Sequence, residues 1–219
     1  MKECRAFTLI ELLVAVAVIG ILAALLLPTL GRGKDSARAV YCLNNLHQWG
    51  TATHLYAADH HDFLPPDGTP NPSAADTNTG WYVLLPRELA LPRYHDQPWR
   101  TNAAAEPGGQ LWICPANPRR SNGNNLFHYC LNQNVNHTGA ANQPAKLSSL
   151  PRPSATVWLF DSKNLPAVGS ANFVHTNLHH GGAQFVFLDA HAARFRLPEY
   201  WDPALNRGRT NNPDLVWTP

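Results

Sequence analysis

The sequence has no dense run of basic residues. Its 219 residues carry a net charge of only +2, and no stripe of lysines and arginines is present. A protein that binds nucleic acid mainly through phosphates needs such a stripe to neutralise the backbone charge. Nucleic acid is therefore excluded as the main partner.

The sequence also lacks the short motifs of common enzyme classes. It contains neither Cys-x-x-Cys nor His-Glu-x-x-His, which supply zinc ligands, and no Gly-x-Ser-x-Gly elbow. Gly31, Gly33 and Lys34 resemble part of a phosphate loop, but the earlier Gly and the following Ser or Thr are missing. We therefore predict a protein that is not an enzyme.

Metal binding is an alternative that the composition leaves open. Eleven histidines are present, and four lie close together in sequence: His175, His179, His180 and His191. They could serve an anchored metal-dependent hydrolase. The simpler interpretation is that His179, Asp189 and His191 hydrogen-bond across a hairpin. Asp161 and Asp189 could bind calcium, although no dense acidic loop is present. We predict no cofactor.

The four cysteines allow one internal disulfide in the polar part of the chain. Cys4 lies in the N-terminal stub, and removal of that stub would leave three cysteines, an odd number. Cys114 and Cys130 are the closest remaining pair in sequence, so a bond between them is one hypothesis. Two buried free thiols are the other.

One apolar run, residues 7–27 (FTLIELLVAVAVIGILAALLL), dominates the N-terminal part. The stretch from residue 9 to residue 30 is close in length to the roughly 20 residues that a membrane-spanning helix needs. The sequence after it offers a poor signal-peptidase site, so we predict a retained helix. Its one carboxylate, Glu11, costs on the order of 2.5–3.5 kcal/mol to insert into a membrane, which implies a partner for it.

A second helical pattern follows this run. Apolar residues recur at spacings of three and four, which predicts an amphipathic helix with one face against a core: Ala39, Cys42, Leu46, Trp49, Thr53 and Tyr56, widened by Val40, Leu43, Gly50 and Ala57. Pro28, Gly31 and Gly33 predict a soft joint between the two helical parts.

The remaining residues predict short strands and loops, hence an α+β fold. The clearest strands are residues 156–160, 183–188 and 192–197, the last two joined by a tight turn at 189–191. Weaker strand-like runs are residues 81–85, 111–114 and 126–131. Trp201 and Trp217 are expected to anchor a loop-like tail.

The segment Ala6-Phe-Thr-Leu-Ile-Glu-Leu12 closely resembles the cleavage site of type IV prepilins and type II secretion pseudopilins. In that family a dedicated peptidase cuts before the Phe and methylates its amino group; the residue before the cut is usually Gly, here Ala6. The resemblance implies a leader at 1–6, a transmembrane half-helix at 7–30, an amphipathic half at 31–58 and a globular domain at 59–219.

Further blocks are similar to large pilin-like families. Residues 42–50 and 55–59 match the stretch after the membrane helix. His179 and Asp189, separated by nine residues, resemble a processing-associated His-x9-Asp-Gly motif near the C-terminus, followed here by His191. Ala190 stands where that motif has Gly.

The resemblance implies a type IV pilin-like fold, with a long N-terminal helix packed on an antiparallel sheet. It also gives Glu11 a partner, the Phe7 amine of an adjacent subunit. Because basic residues flank both ends of the apolar run, charge alone does not set orientation. The family implies a cytoplasmic stub, a single pass of the bacterial inner membrane and an extracytoplasmic domain.

The implied function is that of a structural subunit of a type IV pilus or a type II secretion pseudopilus. Its partners would be the prepilin peptidase, other pilin or pseudopilin subunits and an inner-membrane assembly platform. The alternative is a membrane-anchored binding protein, for instance for polysaccharide, that does not polymerise. Four tryptophans could stack on sugars but are better explained by core packing: Trp81, Trp99, Trp112 and Trp158.

Overall fold

A computed structural model gives the fold of this chain. It describes residues 9–68, 79–108, 111–121, 123, 125–136, 144–163 and 167–219. The chain forms two compact units, residues 1–37 and residues 38–219. The second unit contains the hydrophobic core and the sheet.

The first element of the fold is one long helix, α1 (Leu9–Asp59). It continues through Pro28, Gly31 and Gly33, so the predicted joint does not interrupt it. Pro28 removes one backbone hydrogen bond from the helix interior. Every residue from 9 to 37 is exposed.

The second half of α1 packs into the core through the predicted stripe. All six residues spaced by three and four are buried, and so are Gly50 and Ala57. Val40 is exposed, so the stripe is narrower than predicted on that side. The 3.6-residue period therefore located the buried face but overestimated its width.

A five-stranded sheet forms the centre of the second unit. Its order is β3-β1-β2-β4-β5, and all pairs are antiparallel except β1 with β3. The strands are β1 (Tyr129–Asn132), β2 (Val157–Asp161), β3 (Val168–Gly169), β4 (Gly182–Phe187) and β5 (Ala192–Arg196). The three clearest predicted strands are confirmed within one or two residues, and the chain has the α+β pilin-like architecture that the resemblance implied.

The central strands are buried on both faces, and successive side chains serve two separate cores. Leu159 of β2 and its partner Val186 of β4 face the core that contains α1. Phe160 and Phe185 face a second core, built with the C-terminal tail. Burial on both faces explains why β2 and β4 have apolar runs without polar alternation.

The tail closes this second core. It contains α4 (Leu197–Tyr200) and the short pair β6 (Trp201–Asp202) and β7 (Arg207–Gly208). Trp201 and Trp217 are buried there, as predicted.

Two weak strand predictions between α1 and the sheet are wrong. Residues 81–85 belong to a helix, α2 (Trp81–Glu88), and residues 111–114 form turns and coil. A short apolar run cannot distinguish a buried helix from a strand. Here the aromatic side chains form an edge-to-face cluster, in which Trp81 contacts Trp49 and Tyr82 contacts Tyr94. A one-turn helix, α3 (Gln133–Asn136), follows β1.

Polar side chains fix the second half of α1 on the sheet. Trp158 Nε1–H donates to Thr53 Oγ1 at 2.8 Å, and the Gln184 side-chain amide donates to the Ala39 carbonyl at 2.8 Å. These buried bonds cannot be exchanged for water without cost, so they define the position of the helix along the strands.

Gly50 of α1 packs directly against the β4–β5 turn, which gives the first prediction. A Cβ at this position would lie 2.7 Å from Ala190 Cα and 2.9 Å from Val186 Cγ2. Gly50→Ala should lower the free energy of unfolding by about 1–3 kcal/mol through overpacking, although Ala favours helix by about 1 kcal/mol. Chemical unfolding in detergent, followed by circular dichroism, measures this.

Gly33→Ala in the same helix is the matched control. A Cβ there would have no heavy atom within 4 Å. That variant should be neutral or slightly stabilised. Equal destabilisation by both substitutions would contradict close packing at Gly50.

Candidate functional site

The exposed surface of α1 is the first candidate site. Nearly every side chain from Leu9 to Leu30 is apolar, and the large ones are exposed all around the helix. Within the described residues, α1 is the one helix long and apolar enough to cross a membrane, judged by length and composition. A helix that is apolar on all sides is typical of a membrane span.

Glu11 lies in the first turn of α1. A carboxylate at this end is favoured by the helix dipole, by about 0.3–1 kcal/mol. The proposed cleavage residues Ala6 and Phe7 lie outside the described residues. Their roles, like the pairing of Glu11 with a neighbouring amine, stay predictions.

The second candidate site is a buried cluster around a disulfide. Cys42 of α1 is bonded to Cys114, with their Cα atoms 5.0 Å apart, and Cys130 is a buried free thiol. The hypothesis of a Cys114–Cys130 bond is therefore wrong. Cys42 and Cys114 lie in the core on the α1 side of the sheet, whereas Cys130 of β1 faces the tail. Proximity in sequence does not reveal that β1 directs Cys130 to the opposite face.

His179 and Asp161 form a buried pair beside this disulfide. His179 Nε2 lies 3.1 Å from Asp161 Oδ2 and 3.5 Å from Cys114 Sγ. The backbone N–H of Gln184 also donates to Asp161 Oδ2 at 2.8 Å. Both contacts of His179 use the same ring nitrogen. The arrangement therefore differs from a catalytic triad, in which the acid and the nucleophile occupy opposite nitrogens.

A second buried histidine supports the same segment. Cys114 N–H donates to His128 Nδ1 at 3.1 Å, while His128 Nε2–H donates to the Arg119 carbonyl at 3.1 Å. This arrangement requires the neutral ring. Burial lowers the pKa of His128 to about 4. His128 thus joins the Cys114 segment to β1 as an uncharged bridge.

The motif residues Asp189 and His191 form the β4–β5 turn. Asp189 Oδ1 accepts from His191 N–H at 3.2 Å and lies 2.6 Å from His191 Nδ1. Ala190 has φ of 69°, a left-handed conformation in which Gly is favoured. The Gly of the related motif would take this conformation without strain.

His179 does not take part in that turn, contrary to the hairpin interpretation. It precedes β4, whereas Asp189 and His191 follow it. The nine intervening residues consist of β4 and its flanks, so the motif spacing corresponds to the length of one strand. Because His191 lies at the far end of β4, the four histidines do not converge on one metal. Asp161 and Asp189 are separated in the same way and do not converge on one calcium ion.

The other polar and aromatic candidates have structural roles. The four tryptophans proposed for sugar stacking are all buried in the core on the α1 side, where Trp112 Nε1–H donates to the Tyr82 carbonyl. A polar cleft of about 500 Å³ lies elsewhere, on the tail side, and its lining includes Asn172, Asp202, Arg207, Arg209 and Trp217.

Two comparisons with known families complete this description. Residues 1–27 match the family model described as "Prokaryotic N-terminal methylation motif". Combined with the apolar helix and the α+β domain, this match defines a type IV pilin-like protein of the prepilin and pseudopilin class. Residues 32–158, more than half of the chain, match the family described as "Protein of unknown function (DUF1559)", and the chain belongs to that family. No curated protein and no solved structure matches.

The sequence did not reveal that Asp161 and the bonded Cys42 belong to the same buried cluster. Sequence spacing favours Cys130 over Cys42 as the partner of Cys114, and Asp161 is a sequence candidate only for calcium. The signal available was that a charged residue ends an otherwise apolar strand, Val157–Asp161. A buried carboxylate needs a hydrogen-bonding or charged partner, and His179 provides it.

The disulfide assignment gives a second prediction. Peptide mapping of the unreduced protein should recover Cys42 linked to Cys114, with Cys130 alkylated only after unfolding. Because the bridge spans 72 residues, replacing both bonded cysteines with Ala should remove about 4 kcal/mol of unfolding free energy. Cys130→Ala, which only truncates a buried side chain, should cost about 1 kcal/mol. A linked Cys114–Cys130 peptide would overturn the assignment.

His128 gives a third prediction, on pH. The pKa of the folded protein's His128 is about 4, whereas the unfolded chain binds its proton near the ordinary value of about 6.5. Between these values the unfolded state binds more protons. Stability should therefore fall as the pH drops through this window, by up to about 1.4 kcal/mol per pH unit, and this contribution should be constant above it.

The measurement compares chemical unfolding of the wild type and His128→Gln between pH 4 and pH 8. Gln retains one donor and one acceptor but does not titrate, so its slope below about pH 6.5 should be smaller. His175, whose pKa burial also lowers, remains in both proteins and supplies residual slope. Identical slopes in the two proteins would contradict the neutral bridge.

Proposed function

We propose that this protein is a structural pilin-like subunit that assembles through its N-terminal helix into a type IV pilus or a type II secretion pseudopilus. The observation that carries the proposal is the match of residues 1–27 to the N-terminal methylation motif. The prepilin peptidase would cut between Ala6 and Phe7 and methylate Phe7. The mature protein is proposed to have no catalytic activity.

The exposed surface of α1 supports assembly. Apolar side chains such as Ile10, Leu22 and Leu27 are all exposed, and residues 9–30 bury none of their side chains within the chain. Transfer of each such side chain out of water contributes about 1.5–3 kcal/mol. Lipid before assembly, and helices of neighbouring subunits afterwards, would both provide this burial.

Glu11 would set the register between subunits. A carboxylate in an apolar helix bundle is costly unless an opposite charge compensates it. The Phe7 amine of an adjacent subunit would provide that charge and would fix the axial offset between neighbours. The proposed location is the inner membrane, with one span, an assembly platform as partner and the domain outside the cytoplasm.

The fourth prediction tests this register. Glu11→Gln and Glu11→Ala should abolish recovery of the protein in sheared filaments, while membrane levels and the melting temperature of the domain stay near wild type. Asp35→Asn, which removes a carboxylate from the same helix outside the methylation motif, is the matched control and should assemble. Immunoblots of filament and membrane fractions measure both pools.

Mass spectrometry of the N-terminus separates processing from assembly. Wild type and Glu11 variants recovered from membranes should both begin with methylated Phe7. An intact Met1 in the wild type would overturn the processing step. Normal filaments containing Glu11→Ala would overturn the register role.

A membrane-anchored binding protein that does not polymerise is the second candidate function. The polar cleft on the tail side favours it, because guanidinium, amide and carboxylate groups of Arg207, Asn172 and Asp202 suit a hydroxyl-rich ligand such as a polysaccharide. The immunoblots of filament and membrane fractions also separate the two candidate functions. A binding protein that does not polymerise would be absent from the filament fraction even in the wild type.

A further inference from the structure

Four side chains from separate parts of the chain meet in the buried cluster around the disulfide. Cys42 comes from α1, Cys114 from the segment before β1, Asp161 from the end of β2 and His179 from the turn before β4. Candidate ligand atoms of Cys42, Cys114 and His179 all lie within 4.8 Å of one another. All four residues are buried. The fold thus concentrates two sulfurs, a nitrogen and an oxygen at one point.

Two of these groups are incompletely satisfied. Asp161 Oδ1 and His179 Nδ1 are buried and have no hydrogen-bond partner among the described residues. A buried polar atom without a partner costs about 1–3 kcal/mol, so native proteins rarely retain one without a use. Packing alone would be better served by apolar side chains. The pair is therefore explained better as part of a site than as part of the core.

The distances suit tetrahedral coordination of a metal ion. With zinc bonds of about 2.3 Å to sulfur and about 2.0–2.2 Å to nitrogen and oxygen, neighbouring ligand atoms in a tetrahedral site lie about 3.3–3.8 Å apart. His179 Nε2 is 3.5 Å from Cys114 Sγ and 3.1 Å from Asp161 Oδ2. The S–S bond is what prevents the two sulfurs from occupying separate ligand positions.

Hydrogen bonds to neighbouring residues support two of the four ligand residues, Asp161 and Cys114. The backbone N–H of Gln184 donates to Asp161 Oδ2, and the backbone N–H of Cys114 donates to His128 Nδ1. His179 and His180, in the turn before β4, both have left-handed backbone conformations, with φ of 47° and 61°. Such strain in residues other than Gly is concentrated at functional sites.

We propose that the reduced form of this cluster binds one zinc ion through Cys42, Cys114, His179 and Asp161, so that the disulfide and the metal centre are alternative states of one site. A dithiol reductant supplies two electrons and two protons to the disulfide and is itself oxidised to a disulfide. Zinc then displaces the two thiol protons. His179 coordinates through Nε2, and its ring proton moves to Nδ1. This assignment is independent of whether the protein forms filaments.

The experiment uses the full chain in detergent, with Cys4→Ser to remove the stub thiol. The protein is reduced without oxygen, freed of chelator and titrated with zinc, or with cobalt as a spectroscopic probe. Reduced protein should bind one metal per chain, with thiolate-to-cobalt charge-transfer bands. Oxidised protein should bind none, and reoxidation should release the metal.

Matched variants assign the ligands. Cys42→Ser and His179→Ala should each weaken binding by more than the about 10–100-fold expected when only outer support is lost. Cys130→Ser, which changes the buried thiol on the opposite face of the sheet, should bind metal as the wild type does. Unfolding of the reduced apoprotein would still be informative, because zinc should then restore the circular dichroism and raise the melting temperature.

Three results would overturn the proposal. The first is a reduced wild type that binds no stoichiometric metal, and the second is a reduced, unfolded chain that zinc leaves unchanged. Binding that persists equally in Cys42→Ser and His179→Ala would place the metal elsewhere.

Discussion

The attachment of one face of α1 to residues 111–114 is the constraint on which the second unit depends. Cys42 bonds covalently to Cys114, Asn45 Nδ2–H donates to the Ile113 carbonyl at 3.0 Å, and Trp49 Nε1–H donates to the Leu111 carbonyl at 3.2 Å. The three helical positions lie on one face because their spacings are three and four. The Asn45 and Trp49 side chains satisfy backbone carbonyl groups of Ile113 and Leu111, which belong to no strand.

This constraint explains where sequence interpretation succeeded and where it failed. Periodicity depends on local geometry, so it identified the buried stripe of α1 and the strands around β2, β4 and β5. Residues 111–114 have strand-like composition, but their carbonyl groups bond to helix side chains, which is a long-range event that composition does not encode. The same holds for the disulfide, whose partners lie 72 residues apart in sequence.

The spacing between His179 and Asp189 shows how a motif can record a structural distance. Both residues flank β4, which crosses the sheet between the buried disulfide cluster and the turn against Gly50. An insertion of one residue would move His179 away from Asp161 or shift the turn, because each strand residue advances about 3.3 Å and reverses face. The spacing is fixed because both ends of β4 have defined contacts, and this holds whether or not His179 or Asp189 has a chemical role. For this reason the motif alone did not identify its partners, Asp161 and Cys114.

The two halves of α1 pose different physical demands although they form one continuous helix. The second half has an apolar stripe and a polar face, and the core buries the stripe. Residues 9–30 have no such division: their apolar side chains point in every direction, and a single protein face could bury only some of them. A surrounding environment is required, which lipid or a bundle of like helices can provide. In the proposed assembly, Glu11 would distinguish these two environments, because a bundle would place the Phe7 amine of an adjacent subunit beside it. A plain anchor would gain only the helix-dipole interaction of about 0.3–1 kcal/mol from this carboxylate, whereas an assembling subunit would also gain a fixed register.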